Sequence, residues 1–158
     1  SLVGSEMCIR DRTKIRVQGG AYGATARFDR NGTMFFASYR DPNLRQTNEI
    51  YEGVPEYVEH FTVEERDMTK YVIGTISEMD TPLTARAQGA RSDSAYFGHV
   101  TEEDLQKERD QVLYATQEDI RALAPLMRAI LAEDCICVLG NEDALEKEKK
   151  MFKNLGPL

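Results

Sequence analysis

Residues 16–44 read RVQGGAYGATARFDRNGTMFFASYRDPNL, and the fold follows from how this stretch divides. Strand-like runs cover 24–30 and 33–39. They are separated by Asn31-Gly32, a pair whose tolerance of positive φ predicts a two-residue hairpin turn. Phe28 lies in the first run and Met34, Phe35 and Phe36 in the second, so the hairpin has apolar side chains to bury. Pro42 stops the sheet, and Asn43 is placed to cap a helix beginning at Leu44. Upstream, Arg16 stands six positions before Tyr22, with Gly19 and Gly20 between them. A cation and a phenol on one short segment, with backbone able to approach a ligand closely, have the character of half a peptide-binding site.

Beyond Leu44 the pattern turns helical. A break is predicted near 53–55, where Pro55 lacks a donor and clashes with the preceding turn. Three Thr-x-x-acid signatures mark further helix starts: Thr62 with Glu65, Thr101 with Asp104, and Thr116 with Asp119. After Thr62 the apolar set is Met68, Val72, Ile76 and Met79, with Tyr71 adjacent. After Thr116 it is Ile120, Leu123, Ala124, Met127, Ile130 and Leu131, with Pro125 as a kink. Another helix is predicted to start after Pro82 and run to Phe97, against the preferences of Gly89 and of the Ser92-Asp93-Ser94 cluster. Residues 134–140 read as a returning strand that puts Cys135 and Cys137 on one face as small buried hydrophobes. The order hairpin, helices, strand, helix predicts an α+β fold: an antiparallel sheet, made of the hairpin and the returning strand, covered by several helices.

The formal charge of −7 argues against a nucleic-acid partner, since phosphate binding draws on clustered Lys and Arg. Lys147, Lys149 and Lys150 alternate with Glu and read as a solvated helix face. No apolar run approaches the roughly 20 residues needed to cross a bilayer, so no membrane partner is expected. Residues 1–12 read as a translated sequencing adapter, expected to be disordered, which leaves 13–158 as the natural part. Their own charges cancel, Glu6 and Asp11 against Arg10 and Arg12. The thiol usage fits a reducing compartment, and a cytoplasmic location is favoured.

The GGAYG segment carrying Arg16 and Tyr22 in R-x5-Y spacing, together with the SYRDPN segment around Arg40, resembles the C-terminal half of the insulinase-like (pitrilysin) zinc metallopeptidases, in their presequence-protease branch. The likeness runs from about Lys14 to the C-terminus. It implies that 13–158 is an incomplete C-terminal domain of a protease whose two bowl-shaped halves close around a chamber where unfolded peptide is cut. By that resemblance Arg16 and Tyr22 reach across to the scissile peptide, and Gly19 and Gly20 let their loop pass close to it. The implied partners are an unfolded peptide and the N-terminal half of the same parent chain, and the implied cofactor is zinc held in that missing half.

The chain itself contains only His60 and His99, neither within H-x-x-E-H, so no metal ligands are assigned here and the fragment is expected to bind no zinc and to be inactive alone. His60 is expected at a helix end. Arg40 and Asp41 read as a strand-to-helix corner. The glycines do not form a phosphate loop, lacking both G-x-G-x-x-G and a following Gly-Lys-Ser/Thr. A second reading is a non-catalytic structural or interaction subunit of the same fold.

Overall fold

The computed structural model describes residues 12–29 and 32–156. The adapter reading thus falls outside the described residues up to position 11. Arg12 opens α1 (Arg12–Gln18), a π-helical segment that leads into β1 (Gly23–Phe28) and β2 (Met34–Tyr39). The two strands pair antiparallel, Gly23 opposite Tyr39 and Phe28 opposite Met34.

The hairpin turn differs from the one expected. The Asp29 amide donates to the Thr33 carbonyl at 2.8 Å and the Gly32 amide to the Asp29 carbonyl at 3.0 Å, with Gly32 at φ 85°. This is a three-residue connection with a left-handed glycine in its last position, not a two-residue turn at Asn31-Gly32. Arg30 and Asn31 themselves lie outside the described residues. A one-residue change in register exchanges the faces of the partner strand. Accordingly Phe36, not Phe35, joins Ala26, Phe28 and Met34 against the core, while Phe35 is 42% exposed.

The helices are α2 (Leu44–Glu52), α3 (Val54–Glu59), α4 (Glu65–Met79), α5 (Ala85–Phe97), α6 (Glu102–Leu113), α7 (Gln117–Arg121), α8 (Ala124–Ala132) and α9 (Glu142–Lys147), then a 3-10 turn (Lys149–Met151). The break between α2 and α3 falls at Gly53, with proline in the first turn of α3 as its missing donor allows. Pro125 does more than kink: it sits in the first turn of α8 and separates it from α7.

The core lies where the helices meet the inner hairpin face. Val54 and Val58 of α3 and Ala124 and Met127 of α8 present spacings of four and three residues, the neighbouring positions of one helix face. Phe61, Met68 and Ile120 complete it, and each large side chain so buried contributes about 1.5–3 kcal/mol. Phe36 stacks on Tyr51 of α2 at 5.0 Å between ring centres.

Two of the three threonine caps form as expected. Thr101 and Thr116 each accept the amide of the acidic residue three positions on, and that carboxylate accepts the threonine amide in return. The hydrogen bonds from the Thr116 side chain and backbone hold Asp119 below the usual carboxylate range. At Thr62 the expectation is overturned, because α4 begins at Glu65, preceded by Glu64 without a side-chain cap. The cause is 54 residues away in sequence: Gln117 accepts the Val63 amide at 3.0 Å and donates to the Val63 carbonyl at 3.0 Å. That side-chain amide imitates a ladder partner and holds Val63 out of the helix, while Arg121 Nε donates to the Phe61 carbonyl at 2.7 Å.

Residues 134–140 form no strand, which corrects that part of the sheet. Ile136 and Val138 are half-buried while Cys135, Cys137 and Leu139 face solvent, so the alternation of an extended chain is present. What is missing is a neighbour: β1 and β2 pair only with each other among the described residues, and backbone groups with no ladder opposite form no strand. The thiols are therefore exposed and not small buried hydrophobes. The α5 helix, capped by Thr84, buries none of its residues. Among the described residues no helix is long and apolar enough to cross a membrane.

Candidate functional site

The wide turn of α1 ends where the sequence turns to glycine. The Gly19 amide donates to the Lys14 carbonyl, the Gly20 amide to Arg16 and the Ala21 amide to Ile15, at 3.0, 3.0 and 3.1 Å. A Cβ on Gly19 would stand 2.6 Å from the Ile15 carbonyl oxygen, so the closure admits no side chain there. Gly20 then takes φ 81°, the left-handed conformation that reverses the chain toward β1. Ile15 and Ala21 anchor the turn in the interior, at 1% and 4% exposure, and leave Arg16 and Tyr22 outward.

Three of the four expected site residues, Arg16, Gly20 and Tyr22, meet in one open trough of about 610 Å³, whose lining also includes Val17, Ala21 and Arg40. Gly19 lies behind it, in the closure. The lining holds two guanidinium groups and a phenol and no carboxylate among the described residues. A positive trough on an acidic chain has the right sign for a peptide carbonyl or carboxylate, and the phenol can donate one hydrogen bond.

Sequence reasoning missed Arg40 as a member of this lining. Its guanidinium carbon lies 6.0 Å from the Tyr22 ring centre and 5.5 Å from that of Tyr39, and the two rings meet edge to face at 6.0 Å. One step beyond Gly23 and Tyr39 the hairpin register sets Arg40 across from Tyr22, and the Tyr22 amide donates to the Tyr39 carbonyl at 3.0 Å. The signal was present in the sequence, but the expected two-residue turn would have put Arg40 opposite Gly23 instead.

The corner reading of Asp41 agrees with the structure. Its carboxylate accepts the Asn43 amide at 2.9 Å and the buried Thr47 hydroxyl at 2.6 Å. Asn43 does not cap α2 with its side chain; it donates to the Gly19 carbonyl and ties the corner to the glycine turn. His60 ends α3, exposed, its Nδ1 2.9 Å from the Glu56 carbonyl, and His99 is exposed at φ 52°. No group of three or more His, Cys, Asp or Glu among the described residues could hold a metal ion.

The family profile described as PreP C-terminal domain matches residues 8–140 of this chain. The chain belongs to the PreP C-terminal domain family. This PreP C-terminal domain is 44% identical over 141 residues to Protein HypA of Clostridium perfringens, covering 89% of the chain and 14% of that protein. It is 36% identical over 143 residues to presequence protease 1, chloroplastic/mitochondrial, of Arabidopsis thaliana, covering 88% and 13%. Against the mitochondrial presequence protease of Aspergillus fumigatus the figures are 30% over 130 residues, 82% and 12%. The chain thus spans about one seventh or less of the length of these relatives.

Gly19→Ala is expected to destabilise this PreP C-terminal domain by about 1–3 kcal/mol, the usual cost of forcing an atom into closed packing. The contact is with backbone, which cannot rotate away. Chemical denaturation of the two proteins would measure it, and equal midpoints would show that the turn of α1 opens freely.

Proposed function

We propose that this chain is the C-terminal part of a zinc metalloendopeptidase that degrades unfolded peptides inside a closed chamber. The observation that carries the reading is the convergence of Arg16 and Tyr22 on one trough in a domain of this family. Arg16 binds a carbonyl or carboxylate of the peptide, and the Tyr22 phenol donates to the oxygen that gains negative charge as the bond breaks. Gly20, within the lining, lets backbone and substrate come close, and Gly19 keeps the loop behind it tight.

The residues of this chain do not fit zinc: His60 and His99 belong to separate helix ends, with no third ligand beside either among the described residues. Zinc is assigned to the N-terminal half of the parent chain, which with the peptide is the partner of this domain. Cys135 and Cys137, both free and exposed, suit a reducing compartment, and a cytoplasmic location is part of this reading.

The test is a comparison of the intact parent with the 158-residue chain. The parent is expected to carry stoichiometric zinc and to cleave a quenched-fluorescent peptide; the chain alone is expected to do neither, with or without residues 1–12. A metal-free, inactive parent would favour the structural or interaction subunit, and zinc with cleavage by the isolated chain would refute the half-site.

A further inference from the structure

Arg40 adopts a left-handed backbone, φ 49°, that glycine or asparagine would occupy more cheaply. Something must hold an arginine there. The adjoining corner does so: Asp41 is bonded to the Asn43 amide and the Thr47 hydroxyl, and Asn43 is bonded to the Gly19 carbonyl behind the trough. The side chain that this backbone directs lies beside two tyrosine rings, within the distance at which a guanidinium is attracted to an aromatic ring. Tyr22, 68% exposed, has little packing of its own to choose a rotamer.

We infer that Arg40 is a positioning residue for Tyr22: the corner holds its guanidinium beside the Tyr22 and Tyr39 rings, and that contact aims the Tyr22 hydroxyl into the trough. The inference rests on the peptidase reading of the trough only for its consequence in turnover. The contact is local to the hairpin end and has its own readout.

Two measurements on the intact parent decide it. For the first, 3-fluorotyrosine is incorporated at position 22 and its fluorine resonance compared with and without Arg40→Asn, a change that keeps a residue suited to the left-handed backbone while removing the cation. The resonance is expected to shift and broaden. The second is a kinetic cycle of Arg40→Asn and Tyr22→Phe on a peptide substrate. Arg40→Asn is expected to lower kcat by about three- to fivefold with KM unchanged, the size of an exposed cation-aromatic contact. Arg40→Lys should recover part of that loss, and in the Tyr22→Phe background Arg40→Asn should have no effect, there being no hydroxyl left to aim. An equal loss in that background, or a loss confined to KM, would overturn the inference and make Arg40 a second substrate cation. Should Tyr22→Phe alone leave turnover unchanged, the peptidase role of Tyr22 fails and the fluorine resonance alone decides, an unmoved signal sinking the positioning role.

Discussion

Tyr22→Phe in the intact parent is expected to lower kcat by about two to three orders of magnitude, the usual effect of deleting one oxyanion donor, while KM changes little. The split follows from when the bond matters. A phenol hydrogen bond to a neutral carbonyl adds little over one to water, but the same bond to an oxygen gaining full negative charge, within the closed chamber proposed for the parent, is far stronger. The substitution keeps the ring, and with it the edge-to-face contact with Tyr39 and the proximity of Arg40. Steady-state kinetics on a quenched-fluorescent peptide measure the effect, and a variant with wild-type turnover would take Tyr22 out of the chemistry.

Arg16→Ala is expected to lower kcat/KM by about ten- to a hundredfold through both terms, the range for a hydrogen bond to a charged group. Arg16 stands in the last turn of α1 with its side chain toward solvent, so the loss falls on substrate and not on the core. Arg16→Lys should restore only part, because an ammonium cannot present two parallel donors to one planar group. Zinc content should stay constant in both variants. Full activity of Arg16→Lys would show that charge alone is used; metal loss in either would show that the arginine acts on the fold.

The elements most legible in the sequence were those with a local physical cause. The threonine caps at Thr101 and Thr116 and the glycine-proline break before α3 depend on neighbours within four residues, and the structure shows each. Arg16 and Tyr22 stood out in the sequence by their R-x5-Y spacing around two glycines, and both line one trough. The start of α4 and the missing strand at 134–140 depend on something distant along the chain, Gln117 and an absent ladder partner, while the membership of Arg40 turned on a hairpin register off by one. The thiols of Cys135 and Cys137 were misplaced for the same reason, since alternation gives the two faces of an extended chain but not what covers either.

The amide clamp between Gln117 and Val63 bears on how this helix boundary is set. A chain that extends only as far as α6 carries Thr62 and Glu65 but no Gln117, and its only instruction at that point is the local one, to start the helix two residues early. In the finished domain the glutamine of α7 holds Val63 out of the helix while Arg121 donates to the Phe61 carbonyl. The first two helical positions that the local signal specifies, Val63 and Glu64, lie outside the helix of the finished domain. At the junction between α3 and α4 a contact from 54 residues away overrides the local signal for where a helix starts.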